Sequence, residues 1–277
     1  MDKQNENNSV ARYLVDWLGR HLESEDESIL TWNIVRDIAR RSLIRGWRAY
    51  LVGGAVRDIA LTHGAKIPRD IDIVFAKASI EDVDREFSDF AFIRKTSFGG
   101  SRLRRNGVLV DFWSLDHSYS YDLDRQPTIS DIPKYAFLNI EAVAVEISLR
   151  KLSESDVFEC GFSEGINTKT LEINFEPNPF PEVSILRAFR SAIGLNLLVG
   201  RTLVSYIQAR SWNVERLLSE QKRHYDDDFF AKDQIEEILY LIGSVKPSTA
   251  RFDLNAELRK DRSFSAIISK LNFANKP

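Results

Sequence analysis

Cysteine is almost absent from this chain. Cys160 is the only one, which excludes an intrachain disulfide and any cysteine-rich metal site. Long apolar runs are missing too, and the longest fall far short of the ~20 residues a membrane helix needs. Residues 1–8, MDKQNENN, have no apolar core of the secretory kind, so the expected location is the cytoplasm, with no membrane partner. Nor is there a surplus of positive charge. Lys and Arg total 38 against 41 Asp and Glu, a net charge of −3, which argues against a broad nonspecific nucleic-acid surface. Internal repeats and low-complexity linkers are also lacking.

What remains is an ordinary globular composition, 43% hydrophobic and 29% charged over 277 residues. That length supports one catalytic domain plus a helical part. Positive charge is clustered locally, at Arg36, Arg40, Arg41, Arg45 and Arg48 and again at Arg102, Arg104 and Arg105. A solvated helix face is the commoner meaning of Arg40, Arg41 and Arg45; an RNA contact is the rarer one.

The most informative stretch runs from Tyr50 to Val74, YLVGGAVRDIALTHGAKIPRDIDIV. An apolar strand turns at Gly53-Gly54, passes into a helix, loops through His63, Gly64 and Pro68, and returns as a strand at Asp70. Two glycines let the backbone approach a ligand closely. The helix N-terminus behind them offers free N–H groups to phosphate, and Arg57 can add charge-assisted hydrogen bonds. Asp70 and Asp72, two apart on a strand, project from one face. Paired carboxylates need a cation between them, and hard oxygen ligands beside phosphate suit Mg²⁺. A lone Gly-Gly is usually a turn and a lone Asp-x-Asp a solvated loop. Both in order within one strand–turn–helix–strand unit are far more specific.

Downstream, Ser79 opens a short helix, SIEDVDREFSDF. Asn106-Gly107 between apolar strands is a strong hairpin signal. Asp111 sits mid-strand in VLVDFWSL, where a carboxylate is costly unless paired or metal-bound. Two readings follow: a third site carboxylate, as metal ligand or general base, or a structural Asp paired with Arg102, Arg104 or Arg105. Gly99-Gly100 reads as further backbone donors or as ordinary turn glycines. Residues 116–135 read as an irregular segment beside the acceptor, with His117 a weak acid–base candidate. FLNIEAVAVEI, residues 137–147, reads as a strand.

At the N-terminus, Val10, Tyr13, Leu14, Trp17 and Leu18 form one helical stripe. Thr31 is placed to cap a second helix that stops at Gly46. These helices either back the sheet or dock a protein partner. From Ser211 onward the pattern is helical and charged; the acidic run Asp226, Asp227 and Asp228 reads as a loop or cap rather than a metal site.

LVGGAVRD followed by RDIDIV resembles the head domain of the tRNA nucleotidyltransferase and poly(A) polymerase family, within the polymerase-β-like nucleotidyltransferases. The resemblance implies that Gly53, Gly54 and Arg57 hold a nucleoside triphosphate and that Asp70 and Asp72 bind metal. In such enzymes a third acid lies on the neighbouring strand, and Asp111 takes that position, completing an expected two-metal Mg²⁺ site. The likeness extends over roughly residues 48–208. It is partial beyond its first third. Where the family has Arg-Arg-Asp before a strand, this chain has Lys134-Tyr135-Ala136, with Asn139 and Glu141 as candidate substitutes. The base-reading Asp and Arg of the neck fall on Pro181 and Ser184, while Arg187 and Arg190 remain to reach phosphate or ribose.

The expected fold is therefore mixed α/β: an N-terminal helical extension (1–47), a nucleotidyltransferase head with a mixed sheet (48–176), then a helical neck and short helical tail (177–277). The expected activity is Mg²⁺-dependent transfer of a nucleoside monophosphate from an NTP to a hydroxyl, with release of pyrophosphate. The resemblance implies an RNA acceptor, a tRNA 3′ end above all. The missing base-reading pair and short tail point away from faithful CCA addition and toward a toxin- or defence-type enzyme. A transferase acting on a protein or small molecule, and a silent nucleotide-binding or partner-binding module, are the alternatives.

Overall fold

A computed structural model describes residues 3–24, 30–66, 68, 70–96, 99–117, 126–225, 229–246, 248–260, 264 and 271. The chain divides into two compact units, residues 1–136 with 140–166, and residues 137–139 with 167–277.

The first unit is built on a seven-stranded mixed sheet in the order β3-β4-β5-β2-β1-β6-β7. Its strands are β1 (Arg48–Val52), β2 (Asp70–Ala76), β3 (Ala91–Lys95), β4 (Ser101–Arg105), β5 (Val108–Ser114), β6 (Val143–Ile147) and β7 (Val157–Glu159). Only β2 and β5 run parallel; the other pairs are antiparallel. The period of two divides the residues cleanly. Leu51, Ile71, Ile73, Phe75, Val110, Phe112, Val143 and Val145 point to one side and are buried beneath helices. Asp70, Asp72 and Asp111 point to the other.

Four helices supply that cover: α1 (Lys3–Glu23), α2 (Leu30–Arg45), α3 (Gly54–Thr62) and α4 (Ile80–Glu86). On α1, Val10, Leu14, Trp17 and Leu18 join the same core as the inner sheet residues, as do Ile34, Val35 and Ile38 of α2. Of the two readings of these helices, backing the sheet is what the structure shows; their apolar stripe is consumed there. Thr31 differs from expectation. It is buried inside α2, whose first residue is Leu30, so it caps nothing. Gly46 does end the helix, at φ 71°. Ser79 caps α4 by accepting from the Asp82 amide.

The second unit contains a three-stranded sheet, β8 (Thr170–Leu171), β9 (Leu198–Gly200) and β10 (Arg251–Phe252), with β9 central. The short helix α5 (Phe162–Thr168) precedes it in the chain; its Phe162 and Ile166 belong to the core of the first unit. Around the sheet are α6 (Pro181–Gly194), α7 (Arg201–Gln208), α8 (Val214–Tyr225), α9 (Lys232–Gly243) and α10 (Leu254–Leu258). No described helix is long and apolar enough to cross a membrane. The acidic run 226–228 lies outside the described residues.

The strand expected over 137–147 begins only at Val143. Residues Asn139–Glu141 form a 3₁₀ turn instead. Asn139 explains the difference: its buried side chain donates to the Thr170 carbonyl and accepts from the Glu172 amide, closing a loop that an extended backbone could not. Asn139 and Glu141 therefore do not share a strand face. Asn139 is structural.

Candidate active site

The glycine turn forms because β1 must hand over to α3 within a single residue. Gly53 adopts φ 64° and ψ −127°, a conformation that side chains penalise. Its amide donates to the Val143 carbonyl and its carbonyl accepts from the Arg57 amide, the first helical bond of α3. In the antiparallel register Val52 lies opposite Asp72, so the chain enters the glycine turn at the end of the sheet where Asp70 and Asp72 stand.

Arg57 is the third residue after that turn's leading glycine pair begins its helix, and it is clamped on two sides. Its Nε and Nη2 donate to Asp58 Oδ1 at 2.9 and 2.7 Å, and its Nη1 donates to Glu141 Oε1 at 2.7 Å. Lys66 sits 3.2 Å from the other Asp58 oxygen. A Cβ added at Gly54 would lie 3.5 Å from Arg57 Nη2, so the guanidinium lies close over the turn. Glu141 thus has a defined partner: it holds Arg57.

The carboxylates lie on two neighbouring strands, with Arg102 on a third. Asp72 lies opposite Asp111 in the parallel β2–β5 pair, and Asp111 lies opposite Arg102 in the β4–β5 hairpin. Asp70 sits one side-chain step further along β2 on the same face. Asp70 and Asp72 are partly exposed, whereas Asp111 is buried. Arg102 donates from Nε to Asp111 Oδ1 at 2.7 Å and from Nη2 to Oδ2 at 2.5 Å. That hydrogen bond, opposed by burial and aided by the charges of Asp111, Asp70 and Asp72, holds the guanidinium pKa above its usual value. Arg102 is a permanent cation among three acids.

The donor chemistry fits a hard cation at Asp70 and Asp72, two carboxylates on one accessible face. Asp111 is less available to it, being buried with an Arg102 donor on each oxygen. Among the described residues no group of three His, Cys, Asp or Glu is placed to hold a metal. Of the three carboxylates named from the sequence, Asp111 makes the ion pair that its place in β5 also allowed, with Arg102 as partner.

The same sheet face carries a small apolar cluster of Tyr50, Val74, Leu115, Ile129 and Ala144. Ile129 comes from the segment expected beside the acceptor, which forms two 3₁₀ turns, Ile129–Asp131 and Pro133–Tyr135. Residues 118–125 of that segment lie outside the described residues, as does the His117 side chain. Burial pushes the Tyr50 phenol up to about 12, against the lowering effect of Arg48.

Several arginines of the basic clusters are ion-paired within the chain. Arg41 pairs with Asp37 and Asp89, Arg45 with Glu86, Arg48 with Glu146, and Arg105 with Asp37 and Asp89. In the second unit Arg187 and Arg190 both lie on α6. Arg187 is exposed, while the Arg190 guanidinium lies 5.7 and 5.3 Å from the ring centroids of Tyr225 and Phe229. Arg190 therefore has a packing role of its own.

No family model matches the chain, and no curated protein matches it by sequence. Solved structures do. A tRNA-processing enzyme with CTP is 24% identical, with a TM-score of 0.53 over 74% of this chain and 56% of that one. An apo form of a tRNA-processing enzyme is 22% identical, with a TM-score of 0.51 over 83% and 59%. The CCA-adding enzyme of Bacillus stearothermophilus in complex with CTP is 22% identical, with a TM-score of 0.50 over 68% and 46%. The chain has the fold of these nucleotidyltransferases. It spans roughly half of their length. In this fold the glycine turn and the Asp70–Asp72 pair lie at the same end of the seven-stranded sheet. Glu141 and Arg102 were harder to find from sequence: the first needs the 3₁₀ turn, the second the hairpin register.

Proposed function

We propose that this protein is a Mg²⁺-dependent nucleotidyltransferase that moves a nucleoside monophosphate from an NTP to a hydroxyl at an RNA 3′ end, with tRNA as the acceptor class. One observation carries this reading: the strand register that brings Gly53-Gly54 and the Asp70–Asp72 pair to the same end of the sheet. The solved structures of this fold include a tRNA-processing enzyme with CTP and a CCA-adding enzyme in complex with CTP, which supports an NTP as donor.

In this reading the turn and the α3 N-terminus receive the triphosphate through backbone N–H groups. Arg57, held in place by Asp58 and Glu141, contributes a guanidinium. Asp70 and Asp72 would hold Mg²⁺, which supplies charge neutralisation for the phosphates when bound. The acceptor oxygen bonds to the α-phosphorus and the bond to the β-phosphate oxygen breaks. Pyrophosphate leaves with that electron pair, and the hydroxyl proton passes to solvent. Positioning and charge carry most of the rate, as is general in phosphoryl transfer. Because the base-reading positions are Pro181 and Ser184, the product is a nucleotide addition other than faithful CCA addition, of a kind suited to a toxin or defence enzyme.

The test is incubation of wild type and Asp70→Ala/Asp72→Ala with Mg²⁺, each labelled NTP in turn, and total RNA. Label on a tRNA-sized band with wild type alone is expected. Label on protein, or on nothing with all four NTPs, overturns the RNA reading.

A further inference from the structure

Asp111 is the most enclosed member of the carboxylate row, its side chain 6% exposed against 29% for Arg102. The two bonds from Arg102 form a parallel fork that occupies both oxygens and fixes the carboxylate plane. Arg102 reaches this place through the backbone, since the hairpin register sets it opposite Asp111, which is itself opposite Asp72. The cation therefore stands at the end of a row of acids, on the face that carries Asp70 and Asp72. A guanidinium there neutralises the third carboxylate, whose charge a second metal ion would otherwise balance. It is always present and always charged.

We infer that Arg102 is a built-in cation that takes the place of a second metal ion, leaving a single divalent ion on Asp70 and Asp72. The inference rests on the nucleotidyltransferase reading above. Arg102 is a positioning residue in this scheme: it withdraws Asp111 from metal binding and tunes the field over the site.

The test counts ions rather than turnover. Mn²⁺ is titrated into the full chain, with and without a non-hydrolysable NTP analogue, and free Mn²⁺ is read by electron paramagnetic resonance. Wild type is expected to bind one ion per chain, and Arg102→Lys likewise. Arg102→Met frees Asp111, and is expected to bind a second ion or to hold the first about tenfold more tightly. Because that variant leaves a buried carboxylate without its partner and risks misfolding, Arg102→Met/Asp111→Asn removes both charges. It is expected to bind one ion with affinity within about threefold of wild type, because neither residue is a ligand.

Two ions on wild type would overturn the inference while leaving the nucleotidyltransferase reading intact. So would an Arg102→Met protein with unchanged stoichiometry and affinity, or a double variant weakened about tenfold or more, which would mark Asp111 as a ligand. No ion on wild type in either condition would overturn the inference and the metal assignment together.

Discussion

Gly100 is where the chain before β4 has to pass closest to β5, and Gly100→Ala tests how the Arg102–Asp111 pair is held in register. A Cβ built there would lie 2.5 Å from the Phe112 carbonyl oxygen and 2.4 Å from Trp113 Cδ1. Real Cβ contacts essentially never fall below 3.0 Å. The strand must therefore retreat by about half an ångström, and one of the two obstacles is backbone, which a rotamer change does not relieve. Thr96 resists that retreat. Its amide donates to the Gly100 carbonyl, and its hydroxyl accepts from the Gly100 amide and from Trp113 Nε1. Overpacking of this kind costs roughly 1–3 kcal/mol, and the fixed neighbours place this case in the upper half, at about 2–3 kcal/mol. Gly99→Ala is the control: its φ of +77° penalises a side chain, but among the described residues nothing lies within 4 Å of the new methyl, so about 1 kcal/mol is expected. Urea denaturation followed by tryptophan fluorescence gives both values. Because β4 starts one residue later, part of the Gly100→Ala cost should be lost ion pairing, and it should shrink in the Arg102→Met/Asp111→Asn background. A Gly100→Ala protein within 1 kcal/mol of wild type, or no less stable than Gly99→Ala, would refute the reasoning.

Two further outcomes are expected. Gly53→Ala meets no neighbour among the described residues but forces a side chain into φ 64°, ψ −127°, so it should cost about 1–3 kcal/mol by denaturation and weaken NTP binding in calorimetry. Burial alone would raise the Asp156 carboxyl, but the Arg150 guanidinium and the Ser153 amide and hydroxyl outweigh it and hold the pKa below its ordinary value. A carboxyl depressed by folding stabilises above its unfolded pKa of about 3.9 and loses that contribution as pH falls through the folded value, so Asp156→Asn should flatten the acid limb of a stability–pH profile below about pH 4.

The strand–turn–helix–strand unit of residues 50–74 was legible because each of its signals is local: period two in the strands, Gly-Gly at the turn, helix formers behind it. Residues 137–147 were misread for an equally local reason. Phe137, Asn139, Glu141 and Val143 alternate with apolar partners like a strand, yet the Asn139 amide bonds to backbone more than 30 residues away, which no window of sequence contains. Thr31 has the chemistry of a cap but lies one residue inside α2. The Arg102–Asp111 pair sits between these extremes. A two-residue turn at Asn106-Gly107 sets Arg105 opposite Val108, and counting outward sets Arg102 opposite Asp111. The hairpin signal therefore already contained the partner; of the three arginines open to Asp111, only Arg102 falls directly across the ladder.

That pair is also poorly explained by stability. Taking a carboxylate and a guanidinium out of water is costly, and well-packed apolar residues of similar volume are often as stable or more so. The remainder of β5 is apolar at Val110 and Phe112, both buried, so an apolar residue at 111 would suit the strand. The pair instead adds charge beside Asp72, on the one sheet face that the helices leave open to a ligand. A fold optimised only for its core would have no use for it there. A site that must grip phosphate would, because a fixed guanidinium beside two accessible carboxylates offers an anion and a cation complementary ground on the same few strands.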